Sequence, residues 1–110
     1  AVDRLRFEGR DVDWVPCVPP GGDAHAGRAE TSLLLHLHPS RVTPDRAAAG
    51  PVDRIEALLP ELRERGVRAV SPNGVLGDPR GASAAEGRHL LERMIAEAAR
   101  RIRREPRGRG

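Results

Sequence analysis

Apolar residues recur with helical spacing in two long stretches of the chain. Near the C-terminus, Leu90, Leu91, Met94, Ile95, Ala98 and Ile102 lay one stripe along roughly four or five turns of helix. Ser83-Ala84-Ala85-Glu86 ahead of them has the spacing of a capping box, which marks a helix start. The opposite face is charged, and Glu97 reaches Arg101 one turn on. Upstream, Val52, Ile55, Leu58, Leu59 and Leu62 repeat the pattern, with Gly66 as the stop and Pro60 predicting a kink or a second short helix. Leu33, Leu34, Leu35 and Leu37 leave little polar face between Ala29 and Leu37, so this helix is predicted to be buried and to end at Pro39.

Shorter apolar runs predict strands. Val12, Trp14, Val15 and Cys17 favour a strand over Asp11–Cys17, with Pro16 placing its end at a sheet edge. Val67–Val70 is the second candidate strand, followed by a turn at Ser71-Pro72-Asn73-Gly74. Pro19-Pro20-Gly21-Gly22, residues 39–51 and Gly77–Ala82 read as loops, and no internal repeat is visible. The first residues, closed by Gly9, read as the last turns of a helix that lacks a capping residue and an initiator Met; the chain is therefore read as starting within an element. The order of elements is α/β, with helices on a small, mostly parallel sheet. Residues 1–104 form one partial domain in this reading, and 105–110 a disordered Arg/Gly tail.

Composition changes little. The 110 residues suffice for one modest core. All 19 basic side chains are Arg, a bias in keeping with a GC-rich coding sequence, so the high isoelectric point is discounted as a sign of nucleic-acid binding. Aromatic side chains for base stacking are also scarce. No apolar run approaches the ~20 residues of a membrane span, and Cys17 stands alone, as suits a reducing cytoplasm. Nucleic-acid and membrane partners are therefore not expected.

The candidate chemistry lies in Asp23-Ala24-His25-Ala26-Gly27-Arg28-Ala29-Glu30. His25 sits in a loop of small residues, where an imidazole has room to shuttle protons beside a substrate; the alternative is a solvent-exposed loop histidine. Glu30 is a metal ligand, a group orienting one, or a carboxylate favoured by the helix dipole. Asp23 binds substrate or stabilises the turn. His36, His38 and His89 read as structural, and Cys17 as a small buried hydrophobe. A hydrolytic metal centre needs three or more protein ligands and an open position; His25 and Glu30 alone do not make one.

The run from Asp23 to Leu34 resembles the HAGxxETS segment of the creatininase family. Val75-Leu76-Gly77-Asp78-Pro79, with Ala82 to Gly87 after it, resembles that family's GDP loop and following helix. Trp14-Val15-Pro16-Cys17, Pro20-Gly21-Gly22-Asp23 and Val70 to Gly74 are similar to its mycofactocin-biosynthesis branch. The resemblance implies an αβα layered fold, an oligomer (often a hexamer), and one or two divalent ions, zinc, iron or manganese. It also implies hydrolysis of a C–N bond; the mycofactocin branch acts as a peptidase and removes a C-terminal Val-Tyr dipeptide from a modified precursor peptide. His25 would contact substrate and handle protons at the leaving nitrogen. Glu30 would lie close to the metal, and Trp14 falls where creatininases carry a substrate-packing tryptophan. The Glu-x-His, Asp and Asn-Gly-His ligands of the family's N-terminal half do not occur, so the main ligands are expected outside this chain. By itself it is expected to be inactive and to bind metal poorly. Gly21 stands where creatininases have another tryptophan, which disfavours creatinine as substrate. Two alternatives stay open: an amidohydrolase of small cyclic amides or formamides, and a non-catalytic subunit without the metal half.

Overall fold

The computed structural model describes residues 1–103, so the tail expected at 105–110 lies outside the described residues. Helix α1 spans Val2–Phe7, α2 Arg28–Leu37, α3 Ile55–Arg65, α4 Val67–Val70 and α5 Ala84–Ile102. Short 3-10 turns occupy Pro39–Arg41, Pro44–Arg46 and Pro79–Gly81, each opened by a proline whose fixed φ suits a first helical position.

The longest helix starts where the capping-box spacing places it. Ser83 Oγ accepts the Glu86 N–H at 3.1 Å, which satisfies one of the amides a helix start leaves free. Near the other end, Glu97 holds Arg101 at 2.8 Å, and also Arg100 at 2.7 Å. Hydrogen bonds from Arg101 and Arg100 hold the Glu97 carboxyl down at about 2. Helix α3 runs as one element of 11 residues through Pro60, and not as two. Gly66 ends it with φ of +80°, a conformation that costs glycine little.

Helices α2 and α5 cross closely because one of the crossing residues has no side chain. A Cβ on Gly87 would lie 1.8 Å from the Ser32 carbonyl oxygen, so only glycine lets the backbones approach this far. Ser32 is fully buried there, and its Oγ accepts the Ser83 N–H at 3.1 Å. Ala29, Leu76 and Leu90 form the small apolar core around this crossing. Arg28 and Glu86 tie the two helix starts together with bonds of 2.8 and 3.0 Å.

Several expectations need correction. No β-strand forms among the described residues; the sole pairing is an antiparallel bridge between His25 and Leu76. A strand exists only through its neighbour's hydrogen bonds, and Asp11–Cys17 has no partner segment beside it. Val67–Val70 is a turn of helix, closed by the Ser71 N–H on the Val67 carbonyl at 2.7 Å. β-Branched residues favour strands through cross-strand packing, and Val67 and Val70 have no strand to pack against. Helix α2 is not buried all round. Its small face, Ala29 and Ser32, is covered, whereas Leu34 and Leu37 are 37% and 53% exposed. Cys17 is exposed rather than buried.

Large apolar side chains stay uncovered elsewhere: Phe7, Trp14, Val52, Ile95 and Ile102 are exposed. The radius of gyration, 17.7 Å, exceeds the ~13 Å of a compact chain of about this size. No helix among the described residues is long and apolar enough to cross a membrane.

Candidate active site

The backbone bridge brings together the two segments that carry chemistry. The His25 N–H donates to the Leu76 carbonyl at 3.1 Å, and the Leu76 N–H returns a bond to the His25 carbonyl at 2.9 Å. His25 is therefore fixed at its backbone while its ring stays exposed. The bridged strip is anchored further along. Ser71 Oγ lies 2.6 Å from the Val75 carbonyl, Asn73 Oδ1 accepts the Val75 N–H at 3.0 Å, and Asn73 Nδ2 donates to the Ala49 carbonyl at 3.1 Å. The Ser71-Pro72-Asn73-Gly74 turn thus clamps the loop before α3 to the segment that holds His25.

Immediately after His25 the chain turns sharply. Ala26 has φ of +52°, an uncommon conformation for a residue with a Cβ, and such conformations cost about 1–3 kcal/mol and gather at functional sites. The turn aims the Ala26 N–H at Glu30, whose Oε2 accepts it. The same oxygen lies 3.5 Å from His25 Nδ1. Glu30 occupies the first turn of α2, so one carboxylate closes the loop against the helix and faces the imidazole. An imidazole whose Nδ1–H points at a carboxylate presents Nε2 for proton exchange. The exposed ring and the loose 3.5 Å contact leave Nε2 open to an approaching group.

Asp23 does different work. Its two oxygens accept the Arg28 and Ala29 N–H groups at 2.6 and 3.1 Å, capping the start of α2. Gly27 and Gly77 make room for this carboxylate: a Cβ on either would fall 1.7 or 2.3 Å from Asp23 Oδ2. Replacing Asp23 with alanine is expected to cost roughly 1–2 kcal/mol, as for loss of a helix cap. Thermal denaturation checks this, and an unchanged midpoint would remove the capping assignment. Asp78 is likewise engaged. Its side-chain bonds to Arg80, then the Arg80 backbone N–H, hold its carboxyl at about 2, and the carboxylate in turn raises the Arg80 guanidinium.

The structure therefore joins His25 and Glu30, sets Asp23 one step away as a cap, and leaves Trp14 apart. Trp14 is 61% exposed, and its backbone N–H is held by Asp13 at 2.8 Å. Sequence reasoning missed the roles of Leu76, Ala26, Gly27 and Gly77. Only the glycines carried a signal, since a glycine beside a polar residue often marks a close approach.

Among the described residues no three His, Cys, Asp or Glu side chains gather as ligands. Glu30 Oε2 already accepts an amide, and both oxygens of Asp23 and of Asp78 are hydrogen-bonded. These residues do not make up a metal centre by themselves.

Comparison with known proteins gives the arrangement its context. The mycofactocin precursor peptide peptidase of Mycobacterium tuberculosis is 53% identical over 104 residues, which are 94% of this chain and 41% of that protein. The Mycobacterium ulcerans and Mycolicibacterium smegmatis proteins of the same name are 53% and 49% identical, each covered to 42%. The chain thus spans about two fifths of the length of the curated relatives it matches. A crystal structure of a putative creatinine amidohydrolase from Bacteroides fragilis superimposes with a TM-score of 0.65 at 26% identity, over 89% of this chain and 45% of that one. The family model described as creatinine amidohydrolase matches residues 3–102, and with nearly the whole described chain inside that match, the chain belongs to the creatininase family.

Proposed function

We propose that this chain is the C-terminal part of an amidohydrolase that acts as a peptidase on the mycofactocin precursor peptide and releases a C-terminal dipeptide. Creatininase-family proteins are generally metal-dependent. The ion, zinc, iron or manganese, is assigned to residues outside this chain, because among the described residues no three donor side chains gather and His25 with Glu30 offers two donors at most. The observation that carries the reading is that pair, braced by the Leu76 bridge in a chain about half identical to peptidases of that name. His25 delivers a proton to the departing amine through Nε2, and Glu30 orients the ring from the other side. Trp14 and Asp23 are retained as substrate-side residues, Asp23 through the loop it caps. The exposed Phe7 and Ile95 are the faces that the rest of the protein, or another subunit of a homo-oligomer, would cover in the cytoplasm.

The test is incubation of the complete metal-loaded protein with the modified precursor peptide, read by mass spectrometry. Loss of a C-terminal dipeptide is the expected result. Ring opening of a small cyclic amide or release of formate, with the peptide untouched, would replace this reading by another amidohydrolase activity. A non-catalytic role is the second reading, favoured by the missing ligand cluster among the described residues; it predicts that no substrate is turned over by the loaded protein.

A further inference from the structure

A depression of about 250 Å³ adjoins the Ala26 turn that follows His25. Its apolar surface comes from Leu34, Val42, Val75 and Pro79, and two guanidinium groups, Arg41 and Arg46, border it. Each arginine is the last residue of its own proline-led 3-10 turn, Pro39–Arg41 and Pro44–Arg46, so a short repeated local structure brings both to one place. Arg28, Arg80, Arg100 and Arg101 each hold a carboxylate. Among the described residues Arg41 and Arg46 take part in no salt bridge, as is also true of Arg63, Arg68, Arg93 and Arg103; what sets the two apart is that both border one depression.

We infer that this depression is the subsite for the free C-terminus of a peptide: Arg41 and Arg46 take the terminal carboxylate, and the apolar surface takes the last side chain. The inference rests on the peptidase reading and gives it a specificity determinant. Guanidinium groups bind carboxylates through paired, charge-assisted hydrogen bonds, and the rest of the lining mixes the apolar side chains with the hydroxyls of Thr31 and Thr43. The volume falls below the ~300–1,000 Å³ common for enclosed small-molecule sites, which suits one terminal residue with the chain leaving sideways. Val75 lines the depression next to Leu76, whose backbone is bonded to His25. A peptide seated by its end then lies against the strip whose backbone holds His25, and a cut close to the C-terminus is the consequence the inference draws.

The experiment compares a precursor-derived peptide ending in a free carboxylate with the same peptide ending in a carboxamide. Calorimetric binding and cleavage are both measured on the complete protein. Wild-type protein should bind the acid roughly 10–100-fold more tightly than the amide, the range expected for hydrogen bonds to a charged group. Arg41→Gln with Arg46→Gln should abolish that preference, and the double lysine variant should keep part of it. Both arginines are exposed, so circular dichroism should show a retained fold. Equal binding of acid and amide by the wild type overturns the inference. So does a glutamine variant that changes the oligomeric state while keeping the preference, since the groove is then an interface. Acid-selective binding without any cleavage would sustain the subsite and sink the peptidase reading alone.

Discussion

His25→Asn in the complete protein is expected to slow the proposed cleavage of the precursor peptide roughly 10²–10⁴-fold, the usual contribution of a positioned acid–base group. The loss should fall mainly on kcat, because the ring is exposed and the two bonds to Leu76 come from backbone. Folding should therefore be unaffected. Glu30→Gln isolates the partner. Its amide oxygen still accepts the Ala26 N–H, but the carboxylate charge facing Nδ1 is gone. A drop of roughly 10–100-fold is expected, as when a group that orients a functional histidine is removed. Glu30 acts through His25, so adding Glu30→Gln to His25→Asn should bring no further loss of rate, whereas independent roles would give additive losses. Full-rate turnover by His25→Asn, with dipeptide release intact, would end the proton-transfer role assigned here.

The largest effect on folding is expected at the helix crossing. In Gly87→Val the new Cβ would sit 1.8 Å from the Ser32 carbonyl oxygen, 2.4 Å from its carbon and 2.9 Å from the Leu33 nitrogen. All three atoms belong to backbone, so no side chain can swing away, and α2 must move off α5. The movement would uncover Ala29 and Leu90 and strain the Ser32–Ser83 bond. Overpacking of this kind costs about 3 kcal/mol, a large share of the 5–15 kcal/mol that stabilises a typical domain. In a chain of this size the midpoint of thermal unfolding should fall by on the order of 10–20 °C. Gly9→Ala is the control. Its φ is +78° but no atom lies within 4 Å of the added carbon, so the cost is the conformational one of about 1 kcal/mol. Equal midpoints for the two variants would show that the crossing is looser than described.

The two predictions come from different depths of information. His25 and Glu30 stand out in the sequence because their residue types carry chemistry and their spacing places one in a loop and the other in the first turn of a helix. The importance of Gly87 could not be read in the same way. A glycine inside a predicted helix usually weakens it, and only the partner helix shows why this one is there. Arg41 and Arg46 are similar: in the sequence they belong to a Pro/Gly/Arg-rich connection, and the pair of 3-10 turns is needed to put them at one depression.

Local chemistry settled what the sequence determined unaided. Helices α2, α3 and α5, the Ser83 cap and the stop at Gly66 depend on residues within a few positions of one another, and the His25 and Glu30 motif is likewise contiguous. Tertiary structure alone decided the rest: the helical state of Val67–Val70, the unpaired course of Asp11–Cys17, the exposure of Leu34 and Leu37, and the bond between His25 and Leu76 across fifty intervening residues. Each of those depends on whether a distant segment arrives to share a hydrogen bond or cover a surface. Such an arrival leaves no periodic mark in the chain that awaits it.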